Sequence, residues 1–224
     1  MSRAVVLLSG GLDSSTTLAI ADEEHDDIYA LTFKYGQKHE KEIKCSERLA
    51  EHYSVKDHII LNVPLEKIAT SSLLTDGDDI SDSDMENIGE SIPTTYVPAR
   101  NILFLSFALS YAESVDAETI YIGATAVDYS GYPDCRPEFF EAFKTMAMEG
   151  TKRGTEGKRI DIKTPLIDKS KSEIIKRGVE LSVPYQKTWS CYRGGAKACG
   201  TCDSCKLRLK GFEQAGLTDP LEYE

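Results

Sequence analysis

Apolar residues along this chain occur either in short continuous runs or in longer stretches with helical spacing. The runs that have the length and content of buried strands are Ala4–Leu8, Ile28–Phe33, Asp57–Val63, Thr119–Gly123 and Arg159–Lys163. A buried parallel strand is apolar on both sides, and helices that alternate with such strands cover both faces of the sheet. The pattern therefore predicts an α/β fold with a parallel five-stranded sheet and helices on both faces.

Three stretches between these runs are predicted to be helices. One lies between the second and third runs, with apolar residues at Ile43, Leu49, Ala50 and Tyr53. The stretch from Ile102 to Ala112 is apolar on nearly all sides, which predicts a deeply buried helix. A last helix is expected from Ser170 to Glu180, with Ile174, Ile175 and Val179 facing inward.

Residues 75–95 concentrate acidic side chains, and no basic residue lies between Lys67 and Arg100. The spacing does not fit a calcium-binding loop, because no glycine stands at the required sixth position. We interpret the segment as an exposed, mobile insertion that could act as a lid over a bound substrate. The chain is thus predicted to form a main domain over residues 1–188, which includes this insertion, and a small cysteine-rich module over residues 189–224.

The formal net charge of −11 over 224 residues argues against broad binding to nucleic acid. No run of about 18 apolar residues is present, so we expect no membrane span. Because Met1-Ser2-Arg3 leads directly into the first strand, we expect no signal peptide and a cytoplasmic protein. Basic residues cluster from Lys152 to Lys171, and we interpret the first four of them as a solvated surface run.

The segment Ser9–Ser15, with the sequence SGGLDSS, joins the first apolar run to a helical stretch. Adjacent glycines let the backbone approach an anion, and amides at a helix N-terminus favour phosphate. The segment has neither the Gly-Lys-Ser/Thr end of a Walker A loop nor a G-x-G-x-x-G pattern. We therefore predict a pyrophosphate-binding loop, the alternative being an ordinary glycine turn with a serine cap. The positions assigned to nucleotide binding are Leu8, Ser9, Gly10, Gly11, Leu12, Asp13, Ser14, Ser15, Thr16, Thr17 and Leu18.

Four of the six cysteines, Cys191, Cys199, Cys202 and Cys205, have the spacing C-x7-C-x2-C-x2-C. In a reducing compartment this spacing predicts a tetrahedral metal site rather than disulfides. All-cysteine ligation suits both zinc and an iron–sulfur cluster, and we favour one zinc ion per chain. No His or carboxylate offers an open position, so we expect the site to be structural. Cys45, in a helical stretch, is interpreted as a packed thiol. Cys135 is interpreted as a residue of the pocket wall, with a nucleophile as the alternative.

Further motifs occur in order along the chain: Tyr35-Gly36-Gln37, VPARN from Val97, SGYPDCRPEF from Ser130, WSCY from Trp189 and CGTCDSCKLRLKGF from Cys199. The SGGLDSS loop matches the SGGxDS signature of the PP-loop ATP pyrophosphatases, which cleave ATP to AMP and pyrophosphate. With the other motifs, which span nearly the whole chain, it resembles the 7-cyano-7-deazaguanine synthases of queuosine and archaeosine biosynthesis.

This resemblance implies a Rossmann-like fold of the adenine nucleotide alpha hydrolase type, with a zinc module at its C-terminus. The implied enzyme is a ligase that converts 7-carboxy-7-deazaguanine and ammonia to the nitrile and consumes ATP, with Mg²⁺, twice. Its partners would then be these small molecules, with no nucleic acid and no membrane, and the protein would be a homodimer.

The resemblance also suggests roles for single residues. Asp13 would bind Mg²⁺, or alternatively cap the first helix. Lys171 would contact phosphate, the alternative being an ordinary surface lysine. Arg100 would reach phosphate or the substrate carboxylate, or instead pair with the acidic insertion. The candidates for the deazaguanine pocket are Tyr129, Asp134, Arg136 and Phe139.

Two other functions compete with this interpretation. A PP-loop tRNA sulfurtransferase also adenylates a carbonyl oxygen, and in such an enzyme Cys135 would be catalytic. The acidic composition and the lack of an appended RNA-binding domain argue against it. A zinc-knuckle binding module without activity is the other alternative, and an assay of ATP-dependent pyrophosphate release separates it from both enzymes.

Overall fold

The computed structural model describes residues 1–74, 92, 94–127 and 132–224. Its strands are β1 (Arg3–Leu7), β2 (Asp27–Lys34), β3 (Asp57–Asn62), β4 (Thr119–Tyr121) and β5 (Asp161–Lys163). Its helices are α1 (Leu12–Glu24), α2 (Lys41–His52), α3 (Arg100–Ser114), α4 (Pro137–Gly150), α5 (Lys152–Thr155), α6 (Lys171–Glu180) and α7 (Asp203–Ala215). Every strand predicted from the sequence is present, with its ends within two residues of the prediction.

The strands form one parallel sheet in the order β3-β2-β1-β4-β5. Val5 of β1 lies beside Tyr29 of β2 and Ile120 of β4. The chain first builds outward from β1 to β3 and then returns to add β4 and β5 on the other side. Loops that leave β1 and β4 therefore diverge, and such a point forms a crevice at the carboxyl ends of the strands.

Alternate residues of β1 face opposite sides of the sheet, as the geometry of a strand requires. Ala4 and Val6 pack on one side with apolar residues of α1, α2, α6 and α7. Val5 and Leu7 pack on the other side with residues of α3 and α4. The predicted α/β fold, a parallel five-stranded sheet covered by helices on both faces, is confirmed.

Two details of the predicted helices are wrong. Helix α3 is not deeply buried on all sides, since Ile102 is 43% exposed and Phe107 is 41% exposed. The helix lies against one face of the sheet, and its far side is partly exposed. In α6 the inward position is Gly178 rather than Val179, which is 48% exposed. A residue at 178 continues the helical repeat of Ile174, whereas residue 179 is rotated toward solvent.

The C-terminal region is divided between two environments. Phe212 of α7 is buried in the same core cluster as Ile174 and Ile175 of α6, so this helix packs as part of the main sheet domain. The four cysteines instead form a separate cluster with Trp189 and Cys45. In the predicted module of residues 189–224, the first turn of α7 therefore carries Cys205 into the cysteine cluster, while Phe212 packs in the main core.

Nearly all of the acidic segment 75–95 lies outside the described residues. Its flanks meet, since Ser72 N donates a hydrogen bond of 3.0 Å to the carbonyl of Thr94. In the basic run, Arg153 pairs with Asp116, while Lys152 and Lys158 both pair with Glu156. Among the described residues, no helix combines the length and apolar character needed to cross a bilayer.

Arg208 of α7 holds the C-terminal region together from a buried position. Its guanidinium binds both carboxylate oxygens of Asp219 at 2.7 and 2.9 Å, and each of these side chains is only 2% exposed. It also donates to Thr188 Oγ1 at 2.8 Å and to Ser190 Oγ at 3.2 Å. Because one guanidinium joins α7 to groups from two other segments, its loss would leave Asp219 charged and unpaired in the interior.

We therefore predict that Arg208→Ala lowers the free energy of unfolding by about 3–5 kcal/mol, the usual cost of breaking a buried ion pair. Arg177→Ala is the matched control, since Arg177 pairs with Glu23 on the surface and its loss should cost less than about 1 kcal/mol. Urea unfolding followed by circular dichroism measures both. Equal losses in the two variants would contradict the assigned role.

Candidate active site and metal centre

The SGGLDSS loop lies at the carboxyl end of β1 and leads into α1. Gly10 has a φ of +86°, and a Cβ on it would lie 2.1 Å from the carbonyl oxygen of Glu42 and 2.7 Å from Ser46 N. The backbone of the loop therefore packs directly on the first turns of α2, and only glycine fits there. This contact fixes where the loop stands relative to the sheet.

Hydroxyl groups hold the loop in an open curve. Ser9 Oγ accepts from Gly11 N at 3.2 Å and lies 3.0 Å from Ser14 Oγ. The hydroxyls of Ser14 and Ser15 donate to the carbonyl of Gly11 at 3.1 and 2.6 Å. Helix α1 begins at Leu12, and no side chain caps it. An uncapped helix N-terminus offers free amide donors and a partial positive charge, which together suit an anion.

Asp13 and Lys171 meet beside this loop although they are 158 residues apart in sequence. Lys171 Nζ lies 2.8 and 2.9 Å from the two carboxylate oxygens of Asp13. Lys171 is the first residue of α6, whose start is fixed by a capping box between Ser170 and Glu173. Asp13 lines the cavity described below. The structure thus brings one carboxylate and one ammonium group together at the SGGLDSS loop, which is called the phosphate loop below.

The eleven positions assigned to nucleotide binding divide into two sets. Those that line the cavity are Leu8, Ser9, Gly11, Leu12, Asp13 and Ser14. The other set does not line the cavity and supports the residues that do: Gly10, Ser15, Thr16, Thr17 and Leu18. Thr16, for example, is fully buried and its hydroxyl lies 2.8 Å from that of Tyr185.

A cavity of about 300 Å³ extends from the loop across the carboxyl ends of β1, β2 and β4. Gly123 closes one side of it against α1, since a Cβ there would lie 2.9 Å from Thr17 Oγ1 and 3.0 Å from the backbone of Asp13. Its remaining walls come from the segment after β2, from the start of α3 and from the region before the cysteine cluster. The charged side chains on these walls are Asp13, Lys38, Glu42 and Arg100.

Arg100 begins α3 and faces this cavity. The preceding Ala99 has a φ of 56°, a left-handed conformation that turns the chain sharply into the helix. The guanidinium carbon lies 5.8 Å from the centroid of the Tyr35 ring. Burial disfavours its charge, but the neighbouring groups of Tyr35, Tyr132 and Asp134 raise the pKa of Arg100 above its usual value. The site therefore holds a permanent cation opposite the phosphate loop.

The four residues predicted to form the deazaguanine pocket do not share one location. Tyr129 lies outside the described residues. Asp134 is buried, and its Oδ2 accepts from Asn101 N at 3.0 Å. Arg136 is exposed and donates to the carbonyl of Pro133, while Phe139 packs on Phe140. None of these last three side chains lines the cavity. Their role in substrate binding stays a prediction.

Cys135 does line the cavity, where Asn101 Nδ2 lies 3.3 Å from its sulfur. Burial, followed by the nearby carboxyl of Asp134, raises the pKa of Cys135 to about 11. A thiol with so high a pKa is protonated near neutral pH and is a poor nucleophile. The geometry favours the interpretation of this residue as a wall of the pocket.

Several wall residues had no role in the sequence interpretation. They are Phe33, Tyr35, Gln37, His39, Glu42, Phe104, Trp189, Ser190, Tyr192 and Ser204. The motifs that contain Tyr35, Gln37 and Trp189 contribute to the family resemblance, so the sequence carries a signal for these three residues. The sequence gives no such signal for Glu42. It is one of several charged residues on a polar helical stretch, and the sequence does not distinguish it from those that face solvent.

The four cysteines of the C-terminal loop form a compact cluster. All four sulfur atoms lie within 4.8 Å of one another, and those of Cys199 and Cys205 are 4.0 Å apart. Zinc–sulfur bonds of about 2.3 Å in a tetrahedron place the sulfurs about 3.8 Å apart, so the site fits such an ion. The backbone amides of Arg193 and Cys199 each donate to Cys191 Sγ at 3.4 Å, which favours a thiolate there. A thiolate prepared in this way is a metal ligand.

The cysteine cluster and the phosphate loop are joined through Trp189. Its backbone N donates to the carbonyl of Gly10 at 3.0 Å, and its indole N–H donates to the carbonyl of Cys191 at 2.9 Å. Lys41 of α2 lies 4.0 Å over the indole ring and also donates to the carbonyl of Ala196. Trp189, Ser190 and Tyr192, which flank Cys191 in sequence, form one wall of the cavity.

Comparison with known proteins identifies relatives along the whole chain. The family model for queuosine biosynthesis protein QueC matches residues 3–216. A 7-cyano-7-deazaguanine synthase of Thermoplasma acidophilum is 55% identical over 222 residues, which are 99% of this chain and 92% of the relative. An enzyme of the same name from Citrifermentans bemidjiense is 53% identical over 225 residues, 99% and 98% of the two chains. An NMN synthetase from Francisella tularensis has a similar fold, with a TM-score of 0.51 and 13% identity over 95% of this chain and 84% of its own.

We predict that Cys202→Ser releases the metal and destabilises the cysteine loop, because at a structural site the binding free energy is also folding free energy. Elemental analysis should find about one metal ion per chain in the parent protein and a small fraction of that in the variant. Cys45→Ala is the control, since Cys45 packs in the same cluster but is not one of the four clustered ligands. Full metal content and unchanged thermal stability in Cys202→Ser would contradict the site.

Proposed function

The chain belongs to the family of queuosine biosynthesis protein QueC, and from that membership we propose that it is a 7-cyano-7-deazaguanine synthase. In this proposal it converts 7-carboxy-7-deazaguanine and ammonia to the nitrile, with ATP as the activating co-substrate. The observation that carries it is a single cavity that joins the phosphate loop to Arg100. That arrangement suits a reaction between the α-phosphate of a nucleotide and an acidic substrate.

The chemistry explains why a phosphate loop is needed. A carboxylate is a poor electrophile, so one of its oxygens must first become a leaving group. Attack of that oxygen on the α-phosphate gives an acyl-adenylate and releases pyrophosphate. Ammonia then attacks the acyl carbon, expels AMP and leaves the amide. The protein chiefly aligns the reactants and stabilises the charge that develops on the departing pyrophosphate.

The residues at the loop have separable roles in this step. Ser9, Ser14 and the free amides of α1 bind the pyrophosphate portion of the nucleotide. Lys171 supplies positive charge there, and Asp13, which holds it, is the carboxylate available to Mg²⁺. The ion would neutralise part of the negative charge of the nucleotide. Arg100, across the cavity, binds the substrate carboxylate as an ion pair.

The nitrile requires a second activation at the same site. The amide oxygen attacks the α-phosphate of another ATP, which gives an adenylated imidate and a second pyrophosphate. Loss of AMP, together with the remaining proton on nitrogen, then forms the carbon–nitrogen triple bond. The same loop, Lys171 and Asp13 serve both steps, because the phosphate chemistry is identical in each.

We assign zinc as the ion at the four cysteines and a structural role to it. The donor set is complete with four thiolates, so no position is left open for substrate. Metal analysis that found stoichiometric iron, with broad visible absorption, would contradict zinc. It would also favour the sulfurtransferase alternative, against which the protonated state of Cys135 now counts.

Lys171→Ala is expected to reduce pyrophosphate release by about 10²-fold or more, since the lysine is the cation nearest the phosphate loop. Both half-reactions, from the acid and from the amide, should slow together, as measured by AMP formation with each substrate. Lys176→Ala is the control, because Lys176 is exposed on the same helix. A defect in only one half-reaction would exclude a shared phosphate site.

The amide should itself be a substrate. With 7-amido-7-deazaguanine, Mg-ATP and no ammonium, we expect the nitrile with about one AMP and one pyrophosphate per product, because only one activation remains. With the acid and ammonium the ratio should rise to about two of each. Mass spectrometry of the base products and chromatography of AMP measure both ratios. An inert amide would contradict the two-step scheme.

A further inference from the structure

Glu42 is a half-buried acidic residue to which the reaction scheme assigns no role. It stands in the first turn of α2, and its side chain lines the cavity. Its backbone position is fixed by the phosphate loop, since its carbonyl oxygen is the atom that a Cβ on Gly10 would strike. The carboxyl therefore faces the substrate space from a rigid support.

Within the described part of the chain, this carboxyl forms neither a hydrogen bond nor a close ion pair. Arg100 attracts it across the cavity without direct contact, and burial, opposed by that attraction, raises the pKa of Glu42 to about 7. Since the half-buried carboxyl reaches the cavity, a ligand that carries N–H groups can donate to it there.

The other carboxylates near the site are already engaged. Asp13 also lines the cavity, but it lies at the SGGLDSS loop, where it binds Lys171 and, in the proposed scheme, Mg²⁺. Asp134, the carboxylate expected to bind the guanine edge, accepts a hydrogen bond from Asn101 and does not reach the cavity wall. Glu42 is thus the carboxyl on the described cavity wall that remains open to a ligand.

The proposed substrate has two ends of opposite character. Its carboxylate is complementary to Arg100, and the far edge of its heterocycle presents two donors, a ring N–H and an exocyclic amine. A carboxylate accepts such a pair of donors with both of its oxygens. The rings of Tyr35 and Phe104 line the same cavity and give it apolar surface against which a flat bicycle can pack.

We propose that Glu42 binds the donor edge of the heterocycle and determines specificity for a 2-amino-4-oxo ring over rings that lack the amine. The assignment rests on the proposed function, because it takes the 7-deazaguanine ring system as the ligand. Arg100 and Glu42 then fix the two ends of the substrate, and the acid is presented to the nucleotide in one orientation.

The test compares binding of two ligands, the nitrile product and its analogue without the exocyclic amine, by isothermal titration calorimetry. The parent protein should bind the product about 10- to 100-fold more tightly, since the analogue leaves one buried acceptor unpaired. Glu42→Gln should bind the product more weakly and discriminate between the two by no more than a few-fold. Glu47→Gln, on the exposed side of the same helix, should retain the full discrimination.

Other outcomes would overturn the assignment. If Glu42→Gln keeps the discrimination but weakens binding of a non-hydrolysable Mg-ATP analogue, Glu42 belongs to the nucleotide site. If both 7-deaza ligands weaken equally, the residue is only structural. If Glu42→Gln does not fold, Glu42→Asp keeps the charge and should show reduced but measurable discrimination; full discrimination there would contradict the proposal. A parent protein that binds neither ligand but still releases pyrophosphate from ATP would instead refute the proposed function.

Discussion

The close contact between Gly10 and the first turns of α2 is the constraint on which the site depends. There is no room for a Cβ at this position, so the loop after β1 rests directly on the backbone of Glu42 and Ser46. That contact leaves the start of α1 uncapped toward the cavity. It also presents the carbonyl of Gly10 to Trp189, which ties in the cysteine loop.

The topology of the sheet makes this arrangement possible. Because the strand order reverses at β1 and β4, the loops that leave them separate and a crevice opens between them. Segments far apart in sequence then surround the same space: the loop after β1, the start of α3 at Arg100 and the region around Trp189. Each is carried by a rigid helix or strand end, which is how a site gains accurate geometry without a large core.

Few positively charged side chains of this acidic protein lie at the cavity. Lys152, Arg153 and Lys158 pair with neighbouring acids and do not line the cavity. The cations that matter are single and supported: Lys171 by Asp13, and Arg100 by the aromatic residues around it. In a partly dehydrated pocket a few fixed charges act more strongly than many exposed ones, because water does not screen them.

The sequence by itself determined the strands, the phosphate loop and the four cysteines, since each depends on residues adjacent in the chain. Apolar runs specify strands, adjacent glycines specify the loop, and a short cysteine spacing specifies the cluster of four thiols. Tertiary structure decided what depends on distant packing. It turned Val179 outward, left one side of α3 exposed, and engaged Asp134 with Asn101. It also brought Lys171 to Asp13 and turned Glu42 into the cavity, because the folding of the sheet, and no local pattern, places these residues together.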